Sequence, residues 1–273
     1  MSATPDVDEL DLDALLESAV AASRAGGEIV ARSFDDPPVA RSKAVGDWVS
    51  DVDTSSERAV RAILTEAAPT IPVFGEEEGG ERAALGWLVD PLDGTTNFLH
   101  HFPVVGVSIG LVADGEPVVG VVHAPMLGDT YTAVRGGGAH RNRERLAVST
   151  RPPEAAVCAT GFPFRRAELL PGYLPSFESA LSTFEDLRRA GAASLDLAWV
   201  AAGSFDGYFE LALGPWDVAA GALLVEEAGG LVTDWNGGVD AWLDSGNIVV
   251  GNPAVHARIL DILDRGAFGA DRS

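Results

Sequence analysis

The spacing of apolar residues predicts two helices first, then a series of strands, and finally strands and helices in alternation. In residues 11–34 apolar side chains recur every three or four positions, which is typical of an amphipathic helix, with a weak point at Gly26-Gly27. Thr54-Ser55-Ser56-Glu57 has the form of a capping box and predicts the start of a second helix, which Pro69 closes.

Short apolar runs of strand length fill the middle of the chain. These runs are 72–74, 87–89, 104–112, 118–123, 130–134 and 146–149. Asp114-Gly115 lies between two of them and predicts a hairpin turn.

Beyond Arg151-Pro152-Pro153 the pattern alternates between strands and helices. The predicted strands are 156–160, 205–210, 231–233 and 248–250, and the predicted helices are 169–181, 194–202, 217–228 and 253–263. This alternation is typical of a mixed sheet flanked by helices. The proline pair predicts a boundary between an N-terminal α+β domain, 1–150, and a C-terminal α/β domain, 151–273.

The composition describes a chain that can bury a large core and carries a strong negative charge. Its 273 residues are 47% hydrophobic, and 41 acidic residues against 19 basic ones give a net charge of −22. Such a chain lacks the charge for binding nucleic acid, and it repels anionic substrates unless bound cations offset the charge. No apolar run reaches membrane-spanning length, and the N-terminus lacks the apolar segment of a secretory signal. The single cysteine, Cys158, excludes an internal disulfide, so we expect a cytoplasmic protein.

The strongest chemical signal is Asp90-Pro91-Leu92-Asp93-Gly94-Thr95-Thr96-Asn97, directly after the run 87–89. Pro91 favours extended backbone at Asp90, so we expect Asp90 to end the strand and the chain to turn immediately. Gly94 allows close approach of the backbone, and the residues after it favour a helix start with unbonded N–H groups. Carboxylates that can hold a cation thus lie beside N–H groups that can hold an anion. An Asp-rich turn without a ligand is the simpler alternative.

Three further acidic motifs accompany this stretch. They are Asp47-Trp48-Val49-Ser50-Asp51-Val52-Asp53, Gly75-Glu76-Glu77 and Trp216-Asp217-Val218-Ala219-Ala220-Gly221. In type and order the four motifs resemble those of the inositol monophosphatase family, the magnesium-dependent, lithium-sensitive phosphatases. The resemblance extends over nearly the whole chain. The chain differs from the family's pattern at Ser50, where the family often has Thr, and at Ala192, where the family often has Ser or Thr. The second difference leaves the identity of the substrate undecided.

The resemblance implies a layered α-β-α-β-α sandwich of mixed α/β class, commonly a homodimer, with two or three Mg²⁺ ions. By position it assigns the first ion to Glu76, Asp90 and the carbonyl of Leu92. It assigns the second ion to Asp90, Asp93 and Asp217, and a third, more weakly bound ion mainly to Glu76. Asp217 also begins an apolar helix, where an acid can simply stabilise the N-terminus, and Asp53 has the same alternative.

The resemblance also implies the catalytic and substrate-binding residues. Asp53 and Thr95 orient the attacking water, and Glu76 takes part in catalysis with them. The proposed substrate contacts are Asp93, Gly94, Thr95, Ala193, Glu210 and Asp217. For Glu210 a solvated strand end, or an ion pair with Arg188 or Arg189, is the alternative.

These observations favour magnesium-dependent hydrolysis of a small polyol or sugar phosphate, with myo-inositol monophosphate as the first candidate substrate. Fructose 1,6-bisphosphate, histidinol phosphate and 3′-phosphoadenosine 5′-phosphate are alternatives within the same chemistry. A nucleotide needs aromatic or basic residues around its base and second phosphate, and the sequence shows no cluster of them. A regulatory binding protein is the alternative from another class, because some relatives are thought to act in transcription complexes.

Overall fold

Two mixed sheets and the helices packed on their faces make up the fold. The computed structural model describes residues 10–44 and 47–264. The larger sheet has seven strands in sequential order from β3 to β9, and only its first pair is parallel. The smaller sheet has five strands in the order β11-β10-β12-β14-β13. A two-stranded ribbon, β1-β2, precedes both.

The elements of the described residues have the following bounds. The helices are α1 (Leu12–Ser33), α2 (Asp51–Ala67), α3 (Thr95–Leu99), α4 (Leu170–Thr183), α5 (Ala193–Ala201), α6 (Pro215–Glu227), α7 (Trp242–Ser245) and α8 (Pro253–Asp264). The strands are β1 (Arg41–Ala44), β2 (Asp47–Val49), β3 (Val73–Gly75), β4 (Leu85–Asp93), β5 (Gly106–Ala113), β6 (Glu116–Ala124), β7 (Asp129–Val134), β8 (Gly138–Arg141), β9 (Glu144–Arg145), β10 (Val157–Thr160), β11 (Asp186–Arg188), β12 (Gly207–Glu210), β13 (Leu231–Thr233) and β14 (Ile248–Gly251).

Three apolar clusters show that these elements stack in five layers. Helices α1 and α2 pack on one face of the seven-stranded sheet. Helices α5 and α6 fill the space between its other face and the five-stranded sheet. Helices α4 and α8 cover the far side of the smaller sheet. This stacking confirms the α-β-α-β-α sandwich, because each sheet buries both of its faces against helices.

The side chains of β12 pack on both sides of the smaller sheet. Tyr208 belongs to the core between the sheets, whereas its neighbour Phe209 belongs to the core under α4 and α8. Successive side chains of a strand point to opposite faces, so this strand connects two cores.

Three local predictions are wrong. The second helix starts at Asp51 rather than at Thr54, because Ser50 is the N-cap and forms the capping box with Asp53. The first long strand does not end at Asp90: its pairing continues through an irregularity to Asp93, which lies opposite Gly106. The run 146–149 is not a strand, although Leu146 N donates to Ala139 O.

The chain passes from the larger sheet to the smaller one between Arg145 and Val157. Because the core between the sheets holds residues from both halves, including Leu88 and Tyr208, the division into 1–150 and 151–273 stays a prediction. Among the described helices, none has the length and apolar character needed to cross a membrane.

Candidate metal centre

Three carboxylates from distant parts of the chain meet where β4 ends. Asp90, Asp93 and Asp217 each offer an oxygen, and these oxygens lie within 4.8 Å of one another. Asp90 and Asp93 reach this point because the pairing of β4 with β5 is irregular between them. Gly94 then turns the chain with a φ of 90°, and an added Cβ there would lie 2.8 Å from Val104 O. Only glycine fits this turn without strain.

The cluster places Asp90 among like charges in a buried position. Asp90 is 2% exposed, and its Oδ1 accepts a hydrogen bond from Leu92 N at 2.9 Å. Burial, followed by the charges of Glu76, Asp93 and Asp217, raises the pKa of Asp90 well above its usual range. Asp90 is thus close enough to Glu76, Asp93 and Asp217 to feel the charge of all three.

Asp93 is buried as well, but it has hydrogen-bond donors from the other half of the chain. Its Oδ2 accepts Ser194 N at 2.7 Å and Ser194 Oγ at 2.5 Å, and Ala193 N also bonds to the carboxylate. Burial and the charge of Asp217 raise the pKa of Asp93 to about 7, while the donors of α5 oppose this shift.

Asp217 has a structural contact in addition to its place in the cluster. It is in the first turn of α6, where its Oδ2 accepts Gly214 N at 2.6 Å. The carboxylate therefore caps the helix and faces Asp90 and Asp93 at the same time. The two interpretations of this residue are compatible, because a carboxylate has four acceptor sites.

Thr95 and Asp53 lie next to the cluster and contact each other. Thr95 Oγ1 is 3.0 Å from Asp53 Oδ1 and 3.2 Å from Leu92 O. Asp53 is 1% exposed, and its Oδ2 accepts the N and Oγ of Ser50 at 2.8 and 2.6 Å. Burial raises the pKa of Asp53, and the bonds from Ser50 and Thr95 oppose the rise. The hydroxyl has one proton, so it donates either to Asp53 or to the Leu92 carbonyl.

Glu210 ends β12 beside the same site. Its Oε2 accepts the Tyr208 hydroxyl at 2.5 Å, and burial raises its pKa to about 7. Gly161 leaves the room for this carboxylate, because an added Cβ would lie 1.9 Å from Glu210 Cδ. The charge of Arg189 acts on Glu210 and lowers its pKa, but no direct ion pair joins the two side chains among the described contacts.

A cavity of about 520 Å³ connects these groups. Nine of the ten residues expected from the sequence line it, namely Glu76, Asp90, Leu92, Asp93, Gly94, Thr95, Ala193, Glu210 and Asp217. The tenth, Asp53, lies behind Thr95. The acids therefore lie on the surface of the same cavity.

The wall of the cavity also has an aromatic and basic part, which the sequence did not indicate. It contains Trp48, Phe162, Phe164, Arg165, Arg166 and Arg189. The guanidinium of Arg189 lies 5.3 Å from the ring centre of Phe164. A substrate in this cavity thus meets positive charge as well as the carboxylates.

Some residues that hold the site have no motif of their own. Ser194 gives no signal in the sequence, because its contact with Asp93 joins positions 101 residues apart. Asp196 is buried beside it; its Oδ1 has no hydrogen-bond partner among the described residues, and burial raises its pKa well above the usual range. The sequence could have indicated Glu57 as a residue near the site, because it lies one helical turn after Asp53 and therefore on the same face of α2.

The chain is similar to several known proteins in sequence and in fold. The model of the inositol monophosphatase family matches residues 11–266. The Nus factor SuhB of Pseudomonas aeruginosa is 45% identical over 248 residues, which are 87% of this chain and 91% of that protein. The extragenic suppressor protein suhB of Bartonella henselae has a TM-score of 0.87 at 37% identity, covering 92% of this chain and 99% of its own. Inositol monophosphatase from Anabaena has a TM-score of 0.85 at 33% identity, covering 94% and 98%.

Proposed function

Since the chain belongs to the inositol monophosphatase family, we propose that it is a magnesium-dependent phosphatase acting on a small polyol or sugar phosphate. Our first candidate substrate is myo-inositol monophosphate. The observation that carries the proposal is the cluster of Asp90, Asp93 and Asp217 on the surface of a cavity that also holds Thr95 and Glu210.

The donor set fits a hard divalent cation. Asp90 and Asp93 are buried with raised pKa values, so at neutral pH they need a positive charge to stay ionised together. Every ligand atom offered is oxygen, which Mg²⁺ prefers. Glu76, Asp90, the Leu92 carbonyl, Asp93 and Asp217 would hold the ions, with Asp90 central. When bound, magnesium lowers the pKa of water and neutralises charge on the phosphoryl group and the leaving oxygen.

Thr95 and Asp53 would orient the attacking water. Asp53 is fixed by two bonds from Ser50, so it is a rigid acceptor for the Thr95 hydroxyl proton. When Thr95 donates to Asp53, its oxygen lone pairs face away and can accept a hydrogen bond from water. A water held in this way attacks with little further loss of freedom, which is the benefit of preorganisation. Glu76 lines the same cavity and its charge acts on Asp90, so its carboxylate can accept a proton near the cluster.

The backbone around Gly94 would hold the phosphate. In α3 the first internal bond runs from Phe98 N to Gly94 O, so the preceding N–H groups are not used within the helix. Gly94 and Thr95 line the cavity next to the acids. Their N–H groups can bind phosphoryl oxygens without adding charge.

Glu210 would select the polyol. A carboxylate accepts hydrogen bonds from substrate hydroxyls, and Tyr208 fixes its orientation. Loss of such a contact costs on the order of 1–3 kcal/mol, so Glu210→Ala should lower kcat/KM for inositol monophosphate about tenfold or more. The same change should barely affect p-nitrophenyl phosphate, which has no polyol.

A phosphate-release assay with the purified protein and Mg²⁺ tests the proposed function. We expect inositol monophosphate to exceed fructose 1,6-bisphosphate, histidinol phosphate and 3′-phosphoadenosine 5′-phosphate in kcat/KM. Absence of phosphate release from the whole panel would refute the phosphatase proposal.

The aromatic and basic part of the cavity wall favours a second candidate, a substrate with a base or a second phosphate. Arg165, Arg166 and Arg189 can bind an additional anion, and Trp48 and Phe164 can stack on a base. In that case Arg189→Gln should lower kcat/KM for the preferred bisphosphate at least tenfold. Arg188→Gln is the matched control, since the neighbouring Arg188 pairs with Asp186 and does not line the cavity.

The names of the relatives motivate a separate candidate. Because a protein 45% identical to this chain is a Nus factor, we also consider a transcription-related protein partner. Co-purification of transcription proteins with both the wild type and the Asp90→Asn variant would support a role independent of catalysis. The cytoplasmic location and the homodimer stay predictions from the sequence.

A further inference from the structure

Helix α2 contacts the two segments that carry Glu76 and Asp90. Ser56 Oγ donates to Pro91 O at 2.8 Å, next to Asp90. On the following position, Glu57 faces residues 75–79, which we call the Glu76 loop. The helix therefore lies against the two segments whose separation determines the distance between Glu76 and Asp90.

Glu57 is the centre of the contact with the Glu76 loop. Its side chain is fully buried, and its Oε2 accepts Glu77 N at 2.8 Å while its Oε1 accepts Glu78 N at 3.1 Å. The carboxylate thus binds the two amides that directly follow Glu76. Gly75 permits this approach, because an added Cβ would lie 2.2 Å from Glu57 Oε1.

Arg61 completes the arrangement from the next turn of α2. Its Nε donates to Glu57 Oε1 at 2.8 Å, which compensates the buried charge. The same guanidinium donates to Val73 O at 2.8 Å, before the loop, and to Gly79 O at its end. One ion pair therefore binds the start, the middle and the end of the loop.

We propose that Glu57, supported by Arg61, is a positioning residue that holds Glu76 at the distance from Asp90 at which both can bind a cation. The proposal rests on the proposed function, because it takes Glu76 as a ligand. The physical reason is that a short loop has few contacts of its own, so its conformation is set by the groups that bind its amides and carbonyls. A ligand is preorganised only when the residues around it are fixed in this way.

The variant Glu57→Gln tests the proposal with almost no change in volume. A glutamine has one acceptor oxygen, so its NH₂ group must face either Glu77 N or the pair of donors from Glu78 and Arg61. Arg58→Ala is the matched control. It removes an exposed ion pair from the same helix to the same loop, in which Arg58 Nε lies 2.7 Å from Glu78 Oε1.

Two measurements are made on each protein, both without substrate. Amide hydrogen exchange in the metal-free state should be at least tenfold faster for Glu77 and Glu78 in Glu57→Gln, with α6 and β5 unchanged. The dissociation constant of Mg²⁺ by titration calorimetry should rise about tenfold. Arg58→Ala should change both quantities less than twofold.

The outcomes separate the possible explanations. Faster exchange across the whole chain with unchanged Mg²⁺ affinity would show a purely structural role and overturn the proposal. Faster exchange confined to the loop with unchanged affinity would overturn it too. If Glu57→Gln does not fold, Arg61→Lys is the second test. This variant keeps the positive charge but loses the forked donors of the guanidinium, and it should change both the exchange rate and the dissociation constant threefold or more. A wild type that binds no Mg²⁺ would instead refute the proposed function.

Discussion

Ser194 donates both its backbone N–H and its hydroxyl to one oxygen of Asp93, at 2.7 and 2.5 Å. The two residues are 101 positions apart, so the bond joins the end of β4 to the start of α5. Asp93 is one of the three clustered acids, and Ser194 determines how its carboxylate is turned. The orientation of a candidate metal ligand from the N-terminal half thus depends on a hydroxyl from the C-terminal half.

We therefore expect Ser194→Ala to weaken Mg²⁺ binding about threefold to tenfold, because Asp93 loses a charge-assisted bond and gains freedom to rotate. Titration calorimetry of the metal-free protein measures the change. Ser182→Ala is the control, since this serine is exposed on α4 and donates only to Ser179 O. Equal affinities in the wild type and Ser194→Ala would mean that the backbone N–H alone orients Asp93.

Removal of metal should abolish activity and lower thermal stability, because buried like charges then lack a counter-charge. Among the acids, Asp90→Asn should cost more activity than Asp217→Asn, since Asp90 feels the charges of Glu76, Asp93 and Asp217 together. Asp90→Asn should also raise the unfolding midpoint of the metal-free protein and abolish the increase on adding Mg²⁺. Thermal scans with chelator and with Mg²⁺ check these expectations, and undiminished turnover in excess chelator would contradict them.

Thr95→Ala should lower kcat about a hundredfold or more and leave Mg²⁺ affinity within about twofold, because the hydroxyl orients water and is not a ligand. Steady-state kinetics together with metal titration separates the two effects. Thr95→Ser keeps the hydroxyl and should restore most of the activity. A loss that appeared only as weaker Mg²⁺ binding would show that Thr95 supports the Leu92 carbonyl instead.

Lithium at tens of millimolar should inhibit phosphate release, as the family resemblance implies. A monovalent ion among Asp90, Asp93 and Asp217 supplies half the charge of Mg²⁺ and neutralises the leaving oxygen less well. Sodium chloride at the same concentration controls for ionic strength. Equal rates in the two salts would place the chain with lithium-tolerant relatives.

Glu210 should make the metal-free protein less stable as the pH rises. Its pKa in the folded state is about 7, above its ordinary value of 4.5, so the folded state holds this proton more tightly than the unfolded state. This contribution is fully present below about pH 4.5 and is lost as the pH rises through 7. Between pH 5 and pH 8 the free energy of unfolding of the wild type should therefore fall. In Glu210→Gln, which lacks this titrating group, the fall over the same range should be smaller by about 2–3 kcal/mol. Urea unfolding at a series of pH values in chelator measures the difference, and parallel curves for the two proteins would contradict the raised pKa.

The sequence alone was enough to predict the elements whose apolar pattern is long or whose ends carry strong signals. Helix α1 was predicted because its apolar period is sustained, although Gly26 and Gly27 looked like a weak point; in the structure Asp11 caps its start. Both glycines are in fact required by packing: a Cβ would lie 2.6 Å from Ser56 Oγ at the first and 2.5 Å from the His123 ring at the second. Short elements such as β8, β9 and β11 were missed, because two to four residues are too few to show a hydrophobic period of their own.

The candidate site likewise has one part that the sequence predicts and another part that only the tertiary structure shows. The sequence determined which acids could act, because each one follows a strand or starts a helix within a short motif that is read locally. Only the tertiary structure decided which groups accompany those acids: Ser194 on Asp93, Glu57 beneath the Glu76 loop, and the aromatic and basic part of the cavity wall. These contacts join segments that lie far apart in the chain, and no local propensity specifies them. They form because the sheets bury their faces against helices, with α5 and α6 between the sheets and α2 on the outer face of the larger one, which brings the ends of the strands and helices together.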